Sequence, residues 1–243
     1  MQIYSGCGNQ FLLFDNRIPV FNFNDIASLS RQYETDGVVL LENSRLADYC
    51  MRIFNKDGSE AAMCGNGLRC LIKFLEDLGQ KQPKYQIETQ AGILSGFASR
   101  DGATVSMPNP SKMQIIEIQN MKLHYLNTGV PHAVLFVDDV SKIEVEKTGR
   151  LIRFHPAFAP HGTNVNFVCV KNKELQIRTY ERGVEGETLA CGTGAVAAAL
   201  AAAEAHGLKS PIHLISRSGE SLEVSLNPLT LTGPVQKLIF QLK

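Results

Sequence analysis

The sequence carries no excess of either charge, with 24 Lys plus Arg against 24 Asp plus Glu in 243 residues. Without a net field nothing steers the chain onto nucleic acid or an anionic membrane, which leaves a small molecule or another protein as its partner. No run approaches the roughly 20 apolar residues of a membrane span. The opening, MQIYSGCGNQFLLFD, lacks the basic and then apolar regions of an export signal, so no membrane association and a cytoplasmic location are expected. The six cysteines Cys7, Cys50, Cys64, Cys70, Cys169 and Cys191 include no C-x-x-C pair, and the histidines show no i, i+4 spacing. Free thiols and no metal site follow.

What is there is a duplication. The unit Cys-Gly-x-Gly occurs in MCGNGLRC from Met63 and again in ACGTGAVA from Ala190. Glu60 and Glu187 each stand four residues before the cysteine, and each unit opens an apolar stretch closed by a glycine, Gly79 and Gly207. Gly92 and Gly219 follow their cysteines at the same distance, 28 residues (92 − 64 and 219 − 191). Upstream, SGCGNQFLLFD from Ser5 is similar to TGVPHAVLFVDD from Thr128. One register shared over so long a stretch marks an internal repeat.

Short β-branched and aromatic runs, among them QFLLFD, DGVVLLE, YCMRIF, VNFVCV and LQIRTYE, recur between turn residues and predict strands around two helices, one after each cysteine. MPNPSK, from Met107 to Lys112, is the linker candidate. The expected organisation is therefore an α+β fold of two pseudo-symmetric halves. One is 1–111, completed by a returning strand over 233–243, and the other is 112–232.

A cysteine followed by glycines at a helix start sits where unpaired backbone N–H groups and the helix dipole favour an anion. That field stabilises a thiolate, and the glycines Gly65, Gly67, Gly192 and Gly194 let a carboxylate approach the backbone closely. Two such starts facing one cleft would place a sulfur on each side of a shared ligand. A carbon between two matched bases can lose its proton to one and gain a proton from the other, which inverts its configuration.

The motifs FNKDGSEAAMCGNGLRC, HPAFAPHGTNVNF and YERGVEGETLACGTGAVAAA resemble those of the diaminopimelate epimerase family, and the likeness runs nearly the whole chain. The resemblance implies epimerisation without pyridoxal or any other cofactor, on a small-molecule amino-acid substrate, in lysine and cell-wall precursor synthesis. It implies two halves, each a strand-rich mixed sheet or barrel wrapped around a central helix, with the active site in the cleft between them, and a homodimer. Matched by position, Cys64 and Cys191 are the acid and base, His132 partners Cys64 and Glu181 partners Cys191. Asn9, Gly65, Asn66, Gly192 and Thr193 would surround the α-carboxylate and amino group. Asn55, Asn164 and Arg182 would read the substrate's far end, where the fork of Arg182 suits a carboxylate.

Two departures touch the expected site. Gln10 replaces the aspartate of the family's Gly-Asn-Asp, and Val130 the asparagine of its Gly-Asn-Pro-His. A site lacking a polar partner discriminates less, so a shorter amino dicarboxylate such as glutamate becomes a candidate second substrate. Proline-type epimerases are the nearest alternative, but they are expected to carry Asp-Arg-Ser-Pro before the second motif, where this chain has ERGVEGETLA. A non-catalytic amino-acid-binding protein would not need two thiols.

Overall fold

The computed structural model describes residues 1–19 and 26–239. The chain divides between Ser106 and Met107 into two compact units, Met1–Ser106 with Thr232–Lys243, and Met107–Leu231. Of the returning strand expected over 233–243, residues 240–243 lie outside the described residues.

In the first unit the order is β1 (Gln2–Gly6), β2 (Asn9–Asp15), α1 (Ile26–Gln32), β3 (Gly37–Glu42), β4 (Tyr49–Asn55), β5 (Glu60–Ala61), α2 (Gly65–Asp77), β6 (Tyr85–Thr89), β7 (Gly92–Ala98) and β8 (Gly102–Ser106). β1 and β2 form an antiparallel hairpin whose turn, Cys7-Gly8, has φ of 55° and 87°, the positive pair that a tight hairpin requires. β2 pairs with β3 in parallel, β3 with β4 antiparallel, and β4 with β6 in parallel. β6, β7 and β8 follow as an antiparallel meander. The chain's last strand, Leu229–Leu238, pairs with both β1 and β8. That closes the ring, and closure removes the exposed edges an open sheet would leave.

The second unit repeats this order after one added strand, β9 (Gln114–Ile118), with β10 (Met121–Asn127), β11 (Pro131–Phe136), α3 (Val145–Arg153), β12 (Asn164–Lys171), β13 (Glu174–Glu181), β14 (Gly186–Thr188), α4 (Gly192–His206), β15 (Ile212–Ile215) and β16 (Ser221–Leu226), after which β17 (Leu229–Leu238) begins. The parallel pairs recur across the helices, β11 with β12 and β13 with β15. The small hairpins correspond too, since Ile53 faces Ala61 and Phe54 faces Glu60, while Thr179 faces Thr188 and Tyr180 faces Glu187. Strand-rich halves around a central helix are thus what the chain forms.

The central helices are buried for different reasons. α2 buries Gly65 to Ile72, Phe74 and Leu75, and it ends before Gly79 at φ 77°. α4 buries Gly192 to Ala199, Ala201 and Ala202; its alanines are apolar all round, which suits a helix enclosed by sheet. Gly207, left-handed at φ 66°, caps it.

Among the described residues the structure adds two α-helices to the two expected. α1 lies on a cluster of Ile3, Leu12, Ile26, Val38, Leu40 and Phe54, and α3 on one that includes Ala133, Val145, Ile152, Val165, Phe167 and Tyr180. Strands covered on both faces read as unbroken apolar runs, as GVVLL does. α3 was hidden because it is short and contains Gly149, a poor helix former. That glycine is required by packing, since a Cβ there would fall on the Tyr180 side chain.

Candidate active site

Each cysteine is the N-cap of its unit's central helix. Cys64 is the N-cap of α2 at φ −144°, with its sulfur accepting from Gly67 N at 3.4 Å. Cys191 is the N-cap of α4 at φ −128°. Both are half-buried, and Gly65 and Gly192 open the two helices as buried residues. The glutamates four residues upstream now have a reason. Glu60 takes a bidentate pair from Arg52 on β4, with both bonds at 2.8 Å, and Glu187 takes one from Arg178 on β13 at 2.6 and 2.7 Å. Each fork ties the strand leading into a cysteine to the sheet, and such planar pairs fix geometry as well as energy.

The residue two after each cysteine is bonded to one strand of its unit's sheet, β2 in the first unit and β11 in the second. In the first unit Asn66, 3% exposed, donates through Nδ2 to Asn9 Oδ1 at 3.0 Å and accepts from Arg69 Nη2 at 3.0 Å. In the second, Thr193 Oγ1 lies 2.9 Å from His132 Nε2 and 3.5 Å from Cys191 Sγ. Asn9 and His132 occupy matching places in the two similar stretches noted in the sequence. Arg69, wholly buried, also donates through Nη2 to Cys7 Sγ at 3.3 Å; its Nε and Nη1 have no hydrogen-bond partner.

The remaining expected residues are placed within their own units as follows. Asn55 ends β4, is exposed, and donates to Ser59 Oγ at 3.0 Å. Asn164 begins β12 and is 3% exposed; its Nδ2 donates to Pro131 O and its Oδ1 accepts from Arg182 N, both at 2.9 Å. The Asn164 amide thus holds the start of the loop that carries the half-buried Arg182. Glu181 ends β13 and accepts from Thr188 Oγ1 at 2.8 Å. Gln10 N donates to Asp36 Oδ2 at 2.7 Å, and Val130 is half-buried.

Three residues that the sequence reading passed over complete the picture: Arg69, Asn166 and Thr179. Asn166 Nδ2 bonds to His132 Nδ1 at 3.0 Å and to Ala133 O at 3.3 Å, while its Oδ1 accepts from Thr179 Oγ1 at 3.0 Å. All of these side chains are buried.

Burial, and after it the charge of Arg182, lowers the His132 imidazole to about 3. Unfolded, the same ring takes a proton near ~6.5, so below that pH the unfolded chain holds the extra proton. The stability is fully present above the unfolded value and is lost as the pH falls toward the folded one. Between pH 7 and pH 5 this linkage is expected to remove about 2 kcal/mol. Urea unfolding at the two pH values should show this loss in the wild type and a smaller one in His132→Gln; equal losses would refute it.

The sequence profile described as Diaminopimelate epimerase matches residues 1–113 and 124–237. The chain belongs to the diaminopimelate epimerase family. Members of this family are isomerases, and so is this protein. A diaminopimelate epimerase of Hydrogenobaculum sp. (strain Y04AAS1) is 40% identical over 265 residues, covering 97% of this chain and 95% of that protein. One from Chlamydia muridarum (strain MoPn / Nigg) is 39% identical, with 97% and 91% covered. Among solved structures, a Bacillus anthracis phenazine biosynthesis protein of the PhzF family has a TM-score of 0.78 at 14% identity, covering 100% of this chain and 98% of that one. A hydroxyproline epimerase from Agrobacterium vitis has a TM-score of 0.68 at 17% identity, with 98% and 90% covered. At those identities the likeness is one of fold, and the family assignment rests on the sequence relatives. Among the described residues no helix is long and apolar enough to cross a membrane.

Proposed function

We propose that the protein inverts one α-carbon of LL-2,6-diaminopimelate to give the meso isomer, with Cys64 and Cys191 as base and acid on opposite faces of that carbon. The observation that carries this reading is the duplicated cysteine, each copy an N-cap followed by buried glycine at a helix start. The α-hydrogen of an amino acid is a very weak acid. Its removal needs charge developing on the carboxylate to be met by fixed donors, and helix N–H groups supply them without reorganisation. One sulfur, as thiolate, takes the α-proton; the other, as thiol, gives its proton to the opposite face. The pair then stands with its protonation exchanged, ready for the reverse direction.

In this reading Asn9, Gly65, Asn66, Gly192 and Thr193 hold the α-carboxylate and amino group, and Arg182 binds the distal carboxylate, with Asn55 and Asn164 at that end. Glu181 orients the Cys191 thiol. His132, matched to Cys64 by position in the family, acts as a neutral imidazole, because burial keeps it uncharged at working pH. The two compact units are the duplicated halves, and the working form is a cytoplasmic homodimer feeding lysine and cell-wall precursor synthesis. With Val130 and Gln10 in place of the family's polar residues, slow inversion of glutamate accompanies the main reaction.

Incubation with LL-diaminopimelate in deuterium oxide tests the assignment. Meso product carrying deuterium at the inverted carbon is expected. Binding without exchange, or exchange only with another amino acid, would overturn it, and absence of α-deuterium in glutamate after long incubation would remove the side activity.

A further inference from the structure

The two cysteines share a backbone setting but differ in what lies behind it. In the first unit, a Cβ on Gly67 would meet Ile53 Cδ1 at 2.6 Å and Val39 Cγ2 at 3.4 Å. In the second, a Cβ on Gly194 would fall on Asn166 Oδ1. Ile53 faces the hairpin residue Ala61 as Thr179 faces Thr188, and Val39 faces Ile53 across the sheet as Asn166 faces Thr179. An apolar pair behind Cys64 is thus replaced by a polar pair behind Cys191.

The direction of every bond in that polar pair is fixed. Asn166 Nδ2 lies beside the Ala133 carbonyl and Oδ1 accepts from the Thr179 hydroxyl; a reversed amide would set two acceptors against each other at Ala133. The amide therefore presents an N–H to His132 Nδ1, so this nitrogen is an acceptor. In a neutral ring the proton is then on Nε2, 2.9 Å from Thr193 Oγ1. Thr193 Oγ1 accepts that bond, which leaves its own hydrogen free to reach Cys191 Sγ at 3.5 Å. The backbone of the same threonine is held separately, by Thr128 Oγ1 donating to Thr193 O at 2.9 Å.

We propose that Asn166, anchored by Thr179, is a positioning residue for Cys191: it locks His132 as the Nε2–H tautomer, which donates to Thr193 Oγ1 and turns the threonine hydroxyl hydrogen onto the Cys191 sulfur. The consequence for the reaction rests on the two-thiol reading above. A hydroxyl donated to sulfur stabilises its thiolate over its thiol, so within the second unit the network bears on Cys191 through Thr193. Arg182 is a charged group that acts on His132, and Glu181 is held by Thr188 at the end of β13.

The test is alkylation by iodoacetamide as a function of pH, with the Cys64 and Cys191 peptides separated by mass spectrometry, so that Cys64 serves as an internal control. In Asn166→Ala and Thr193→Val the midpoint for Cys191 is expected to rise by about one pH unit, while that of Cys64 stays in place. Thr193→Ser should restore it, and Thr179→Val, close to isosteric, should shift it in the same direction by less. An unmoved Cys191 midpoint in folded variants, or equal movement of both cysteines, overturns the proposal. If Asn166→Ala does not fold, ¹⁵N spectra of His132 in the wild-type protein decide instead: a protonated Nε2 is expected, and a protonated Nδ1 overturns it. Neither readout depends on epimerase activity, so failure of the substrate assignment and failure of the network remain separable.

Discussion

Alanine at Cys191, and separately at Cys64, is expected to lower kcat for epimerisation by about 10²–10⁴-fold, the range for removing one positioned acid or base. The two losses should differ in kind. On the two-thiol reading, a substrate whose α-hydrogen faces the one remaining sulfur still meets a base, but no acid waits on the other face. The proton is then exchanged with solvent and returned to the side it left. One variant should therefore place deuterium in the LL isomer without inverting it, and the other should do so at the D-centre of the meso isomer. Both variants keep the N-cap backbone and the Arg–Glu forks, so the fold should survive; a half-buried Cys→Ala change leaves little cavity. Nuclear magnetic resonance of recovered substrate, resolved by isomer, gives both quantities. Epimerisation at the wild-type rate in either variant would end the two-thiol reading.

The parts of this design most legible in the sequence are those set by local chemistry. Cys-Gly-x-Gly marked both helix starts because a residue with a β-region backbone followed by unencumbered N–H groups suits an N-cap. Gly79 and Gly207 marked the ends because left-handed backbone there needs glycine. The repeat put Glu60 and Glu187 in register, and the structure shows why: each binds an arginine on the neighbouring strand. What stayed hidden depends on long-range pairing. Asn166 sits in VNFVCV, a run buried from Val165 to Cys169. Its signal was a single amide in an apolar strand, and its meaning appears only when β12 is paired with β11 and β13, bringing His132 and Thr179 to its two ends. Arg69 is similar, a guanidinium inside an otherwise apolar helix face whose neighbours, Cys7 and Asn66, come from the β1–β2 turn and the preceding helical turn.

Gly194→Ala is expected to cost about 10²-fold in activity with a modest change in stability, while Gly67→Ala should cost at least about ten times less. Both glycines lie in the first turn of a central helix, so both changes gain up to ~1 kcal/mol of helix propensity. The opposing term differs. At Gly67 the new methyl meets Ile53 Cδ1, the far end of a flexible side chain that can turn away. At Gly194 it falls on Asn166 Oδ1, which Thr179 and the opposite end of the amide hold in place, and it comes within 3.3 Å of Cys191 Sγ. Overpacking of this kind costs typically ~1–3 kcal/mol, and relief is available in only two directions. Either Asn166 withdraws, releasing the His132 ring, or the α4 N-cap moves and carries the sulfur with it. A displacement of about 1 Å at a reacting group is enough for a 100-fold loss, so either route damages the reaction while the rest of the helix stays packed. Steady-state rates for the two alanine variants, with thermal unfolding of each as the control, measure the contrast. Equal activities would mean that the polar and apolar backings of the two cysteines are interchangeable, and a Gly194→Ala protein that is simply unfolded would place the glycine's role in folding rather than in holding Asn166 against the cysteine loop.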